Sequence, residues 1–169
     1  MSLLVAHDPG WSAQATTEAQ RWRTSVAGLI TLHHIGSTAV PGLPAKPIID
    51  LLPVFESEAA ADAARGALET MGYEWMGAYG LPGRRYVRRD DPRTGARLFH
   101  AHAYADGHAD IRRHLAFRDA LRGNAALRAG YASVKGACAA RHPEGGAAYG
   151  DCKSGWIAKT EAKALERDP

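Results

Sequence analysis

No stretch of this chain is apolar over the roughly 20 residues that crossing a bilayer needs. The first residues, MSLLVAHDPGW, lack both a basic leading region and a long apolar segment, so they do not read as a signal peptide. These two absences make a cytoplasmic setting the expectation and leave no membrane partner to expect. Cysteine is scarce as well: the chain has 2, Cys138 and Cys152. That is too few for a disulfide framework or a zinc site. Both fall in helical patterns, so buried free thiols are expected. There are no internal repeats and no low-complexity segments. No aromatic stacking motif of the RNA-binding type is present, and the net charge of +3 is modest. A nucleic-acid partner is therefore not expected, whereas a small anionic ligand is compatible with the mild basicity. Nothing in the sequence sets an oligomeric state.

What is present fits one domain spanning 1–169, with 46% hydrophobic and 23% charged residues, enough for a real core. Asp8-Pro9-Gly10 opens a helix over about 10–29, where Trp11, Ala15, Glu18/Ala19, Trp22, Val26 and Leu29 recur at helical spacing. Thr31–Ile35 reads as a short strand, and Pro41-Gly42 breaks the turn after it. Residues 46–54 form a near-continuous apolar run, as in a strand buried on both faces; Pro53 should mark its end or an edge. Ser57 is a fitting N-cap for a helix over about 57–71. Strands follow near 73–76, 84–89 and 98–104, the last two joined by the hairpin turn DDPRTG. Three Ala- and Arg-rich helices are expected near 109–122, 124–141 and 147–167. The order of elements gives an α+β fold with a mixed sheet over about 28–105 and a helical C-terminal third over about 108–167.

One segment stands apart. Residues 34–52, HIGSTAVPGLPAKPIIDLL, place a Gly-Ser turn after one strand and a lone Asp50 inside an apolar run. A buried carboxylate is costly unless it is paired or binds a metal. With the His-x-His strand His100-Ala101-His102, the segment HLAFRDALRGNAALRAGYASVK and the late YGDCKSGWI, this stretch resembles the signature of the GrpB family, also called UPF0157, over most of the chain. That resemblance implies a nucleotidyltransferase-like fold, in which a Gly-Ser turn is followed about a dozen residues later by an Asp-x-Asp/Glu strand. It also implies a domain type that is found fused to a dephospho-CoA kinase in some bacteria. The chain departs from the pattern at one point: the second acidic position is Leu52.

The chemistry such a fold performs needs a held triphosphate, a metal to neutralise charge and an acceptor in line. Gly36 lets the backbone approach a phosphate, Ser37 and Thr38 offer hydroxyls, and Lys46 can reach a phosphate or pair with Asp50. The plainer alternative is an ordinary capped turn. Asp50 can hold one divalent ion, Mg²⁺ or Mn²⁺, or it can be a structural acid paired with Lys46 or an arginine. His100 and His102, two apart on a strand, share a face. They can join Asp50 in a site better suited to Zn²⁺ or Mn²⁺, serve as an acid–base pair, or simply be packed and solvated. His33 and His34 face opposite ways, so at most one joins the site. The run RRYVRRDDPRTGAR, with six Arg against two Asp, puts Arg85, Val87 and Arg89 on one strand face and Arg84, Tyr86 and Arg88 on the other. Arg85 is a candidate anion contact, or a solvated edge residue. Arg118, Lys135 and Lys153 match later positions of the family. Arg118 and Lys153 are candidate phosphate contacts, with surface ion pairing as the alternative. Asp106 and Asp110 are candidates for a second carboxylate. The expected activity is metal-dependent nucleotidyl or phosphoryl transfer to a small molecule. The alternative is a non-catalytic nucleotide- or anion-binding protein on a degenerate transferase fold.

Overall fold

A computed structural model describes residues 3–167. Helix α1 spans Gly10–Ser25, and strands β1 (Leu29–Ile35) and β2 (Ile49–Phe55) follow, separated by a long loop with one 3₁₀ turn at Ser37–Ala39. Short helices α2 (Glu58–Ala63) and α3 (Arg65–Thr70) lead to strands β3 (Tyr73–Trp75), β4 (Arg85–Asp90) and β5 (Arg97–Ala105). Helices α4 (Ala109–Gly123), α5 (Ala125–Arg141) and α6 (Gly146–Arg167) complete the chain. The strands form one mixed sheet in the order β1-β2-β5-β4-β3. β2 runs parallel to β5, and every other pairing is antiparallel.

The sheet is covered on both faces. On one side α1, α2 and α3 pack Trp11, Trp22, Ala61 and Leu68 against Leu51, Phe55, Val87 and Ala101. On the other, Ile111 and Leu115 of α4 lie over Ile35, Leu52 and Tyr104. The β1–β2 loop is part of that second layer, because Val40 and Leu43 are fully buried against Leu121 of α4 and Tyr131 of α5. Each strand of the interior therefore sends alternate residues to two cores, which is why β2 reads as continuously apolar.

Several boundaries differ from the sequence expectation. α1 stops at Ser25 because Val26 is already extended, and Gly28 turns the chain at φ +72. The helix expected over 57–71 is two helices meeting at Ala64, although Ser57 does cap the first by accepting from Ala60 N–H. Pro53 sits inside an interior strand, opposite Leu32 of β1. The parallel register with β5 skips Leu52 and Pro53, so the missing N–H falls where the ladder is interrupted. The cysteines are not free thiols: Cys138 and Cys152 form a disulfide with their Cα atoms 5.9 Å apart. Four residues join α5 to α6, and Cys138 lies near the end of the first helix and Cys152 near the start of the second. The helical hairpin brings them together, which spacing along the sequence does not reveal. Among the described residues, no helix is long and apolar enough to cross a membrane.

Glu18 falls on the apolar stripe of α1 and is 2% exposed. It is fully partnered: Arg21 and Arg89 donate to it at 2.8 and 2.9 Å, and the Tyr73 hydroxyl donates at 2.8 Å. Trp22 Nε1 in turn donates to the Tyr73 oxygen at 3.0 Å. This network ties α1 to β3 and β4. Removing its centre leaves two guanidinium groups without their anion, so Glu18→Ala is expected to destabilise the fold by about 3 kcal/mol in urea titrations. Glu18→Gln should cost less, because the amide keeps one acceptor.

Candidate functional site

The site begins where β1 ends. Gly36 takes φ +71, and a Cβ at this position would lie 2.6 Å from Oδ2 of Asp50 and 3.0 Å from its Cβ. Both the backbone angle and the space demand glycine. Ile35 and Asp50 are paired across β1 and β2, so the turn and the carboxylate are fixed to each other by the sheet. The chain then closes a 3₁₀ turn, with Ala39 N–H donating to Gly36 O at 3.1 Å. Ser37 and Thr38 are thereby presented beside the carboxylate. Thr38 is held by a 2.8 Å contact between its Oγ1 and His34 Nε2. Burial, opposed by Asp50 and reinforced by Arg122 and Arg118, pushes the His34 pKa down to about 4.

Asp50 is flanked on the neighbouring strand. His100 Nδ1 lies 3.4 Å and His102 Nε2 3.5 Å from the same oxygen, Oδ1. Burial pushes the Asp50 carboxyl up, but the hydrogen bonds and positive field from the two imidazoles outweigh it and hold the group well below the usual carboxylate range. Lys46 and the arginines are not its partners: no Lys or Arg lies within ion-pair distance of Asp50 among the described residues. The expected His-x-His face is realised, and Tyr86 of β4 stacks on His102 at 5.2 Å.

Around this carboxylate opens a cleft of about 230 Å³. Its sheet side holds Ser37, Thr38, Asp50 and His100, and Lys46 comes from the β1–β2 loop. Its other wall is helical: Lys135 from α5, with Gly146, Tyr149 and Lys153 from α6. Three ammonium groups thus face one carboxylate. Lys135 is 2% exposed and donates to Pro44 O. Lys46 and Lys153 flank the Tyr149 ring, 4.6 and 4.1 Å from its centroid. Among the described residues, none of the three lysines has a carboxylate within 4 Å. Burial pushes Lys135 down to about 7, with the neighbouring Lys153 adding to it and Asp50 opposing. Burial and Lys46 push Lys153 down to about 8, again against Asp50.

Not every expected residue reaches the cleft. Arg85 forks onto Asp62 at 2.7 and 2.8 Å and also donates to Glu58, on the opposite face of the sheet. Arg118 donates to Asp119 and to His34 O, tying α4 to β1. Asp110 pairs with Arg113 at 2.8 Å, and Asp106 caps its own loop at Gly107 N–H. Neither supplies a second carboxylate to the cleft. Lys135 matches a later family position and Tyr149 opens the YGDCKSGWI segment, but neither is among the candidate site residues of the sequence reading. The available signal was that Lys135 interrupts an otherwise apolar helical face, four residues after Tyr131 and three before Cys138.

The GrpB protein family matches residues 3–163. The chain belongs to the GrpB family. It is 34% identical over 162 residues to UPF0157 protein YqkA of Bacillus subtilis, covering 95% of this chain and 46% of that one. It is 34% identical to UPF0157 protein SCO7215 of Streptomyces coelicolor, spanning 95% of this chain and 83% of that protein. A dephospho-CoA kinase of Mycobacterium leprae is 31% identical over 189 residues, and the chain covers 46% of it. The crystal structure of the conserved protein GrpB from Enterococcus faecalis superposes with a TM-score of 0.88 at 39% identity, covering 97% of this chain and 98% of that one. The poly(U) polymerase Cid1 superposes with a TM-score of 0.57 at 15% identity, covering 88% of this chain and 48% of that one. The fold is therefore nucleotidyltransferase-like, as the family resemblance implied.

Gly36 gives this site its sharpest test. Gly36→Ala must either displace the Asp50 carboxylate or distort the turn. A loss of roughly 1–3 kcal/mol in stability is expected from strain and crowding together. A calorimetric melt unchanged from that of the parent chain would remove the close approach from the account.

Proposed function

We propose that this GrpB-family chain binds the phosphates of a nucleotide in the cleft and transfers a nucleotidyl or phosphoryl group to a small-molecule acceptor. The observation that carries the reading is the pairing of a Gly36–Thr38 turn with three lysines across one carboxylate. A turn of this kind offers N–H and hydroxyl donors to phosphate oxygens, and lysine is a common point-charge partner for phosphate. The acceptor hydroxyl would lose its proton to the Asp50–His100 pair. Its oxygen would bond to the phosphorus under attack, and the bond to the leaving group would break with its electrons, releasing pyrophosphate in nucleotidyl transfer or a nucleoside diphosphate in phosphoryl transfer.

A pair of divalent ions does not suit these residues. The second acidic position is Leu52, fully buried among Ile35, Tyr104, Ile111 and Leu115. Both imidazoles turn a nitrogen toward the same Asp50 oxygen, at 3.4 and 3.5 Å. Among the described residues, no group of three or more His, Cys, Asp or Glu is arranged to hold a metal ion. Leu52 also favours a second reading, a nucleotide- or anion-binding protein without turnover.

One experiment separates the two. ATP, GTP, CTP and UTP are titrated by calorimetry against the wild type and Asp50→Asn, then incubated with pooled small-molecule acceptors and followed for release of pyrophosphate or of a nucleoside diphosphate. The enzyme reading expects binding in both proteins and release in the wild type alone. Binding without release from any nucleotide supports the accessory reading, and no binding removes both.

The lysines set a pH dependence. In the free protein Lys135 and Lys153 lose their protons near pH 7 and 8. A bound phosphate favours their charged forms, so binding takes up protons as pH rises through this range. Above pH 7 the phosphate is already largely ionised. Affinity should then fall between pH 7 and 9, by up to about tenfold per pH unit for each lysine that must be recharged. Titrations in buffers of different ionisation enthalpy would register the proton uptake directly. Lys135→Met should flatten the profile.

A further inference from the structure

Resting on the nucleotide-binding reading above, we infer that Lys46, Lys135 and Lys153 replace a divalent metal pair as the neutralising charge, so that the triphosphate binds without Mg²⁺. The argument starts from what each position can accept. In a two-carboxylate strand the second acid would stand at Leu52, two residues from Asp50 on the same face. That place is filled by apolar packing from α4 and is closed to water and ions. Asp50 alone is left, with imidazole nitrogens of His100 and His102 at 3.4 and 3.5 Å from its Oδ1.

The missing carboxylate is matched by excess cation. Three ammonium groups line a cleft that holds one acid. An uncompensated buried ammonium is expensive, and its neighbours of like charge raise the cost. Lys135 shows this most clearly. It has three N–H donors, its one protein acceptor is Pro44 O, and it is almost wholly out of water. No structural ion pair accounts for it. Lys46 and Lys153 both lie over the Tyr149 ring, 4.6 and 4.1 Å from its centroid, a contact that neutralises neither. Gly145 permits the approach of Lys46, since a Cβ there would lie 2.9 Å from Nζ. The arrangement is complementary to a chain of phosphates and is not complementary to a metal ion.

Asp50→Asn gives the two arrangements opposite signs. If a metal ion bridges Asp50 to the phosphates, removing the carboxylate weakens binding. If the lysines bind the phosphates directly, removing a nearby negative charge leaves binding unchanged or strengthens it. The experiment is calorimetry with ATP and with inorganic tripolyphosphate, each in EDTA and again in millimolar Mg²⁺, on the wild type, Asp50→Asn and Lys153→Ala. The expected result is binding of both probes in EDTA, within about threefold of the Mg²⁺ value. Asp50→Asn should bind at least as tightly, and Lys153→Ala at least tenfold more weakly. Binding that needs Mg²⁺ and is lost in Asp50→Asn would overturn the inference while leaving the nucleotide-binding reading intact. Binding of ATP but not tripolyphosphate in EDTA would overturn it too, by making the nucleoside the anchor. No binding of either probe under either condition would overturn both. Circular dichroism of each variant separates a lost contact from a lost fold.

Discussion

The contact between Gly36 and Asp50 is the constraint on which the rest of the site depends. A carboxylate can stand in the interior strand β2 because its neighbour on β1 has no side chain and turns at positive φ. That turn presents Ser37 and Thr38, and the loop beyond it buries Val40 and Leu43 under the C-terminal helices. Lys46 is delivered by the same loop, which is pinned at Ala45 by paired backbone hydrogen bonds to Val5. One close approach thus sets the geometry of the sheet side of the cleft. It also couples folding to function, because the loop that carries the candidate ligands is a wall of the second core.

The helical wall answers the sheet wall in charge. β2 contributes one carboxylate where the related pattern has two, and α5 and α6 contribute Lys135 and Lys153. The disulfide between Cys138 and Cys152 joins these two helices close to both lysines. It lies one residue before Lys153 and three after Lys135, so the clasp and the charges share one helical hairpin. Desolvated like charges cost stability in the free protein, and an anion drawn into the cleft offsets that cost.

The fold was largely legible because its signals are local or periodic. The alternation along β4 sent Arg85, Val87 and Arg89 to one face and Tyr86 to the other, as observed. The apolar run of β2 announced burial on two sides. What failed were features set by partners distant in sequence. Pro53 was read as an edge signal, yet an interrupted parallel ladder accommodates it in the interior. The cysteines were read one at a time, and the hairpin that pairs them is a tertiary fact. Arg85 reads from the sequence as an anion contact or a solvated edge residue, and the acids of α2 claim it instead.

The same distinction explains the site. The shared face of His100 and His102 follows from strand alternation alone, whereas their juxtaposition with Asp50 depends on the parallel β2–β5 register, which pairs Asp50 with His100 directly. Lys135 was not readable as a ligand, because its role depends on where α5 crosses the sheet. Its sequence signature was a charged residue on an apolar helical face, which in most helices means a side chain reaching outward to water. Here the chain reaches inward, to Pro44 O and the cleft. A lysine on such a face with no carboxylate to meet it has two physical outcomes: it shifts toward neutrality, or it waits for an anion. Burial shifts all three lysines of this cleft toward the first.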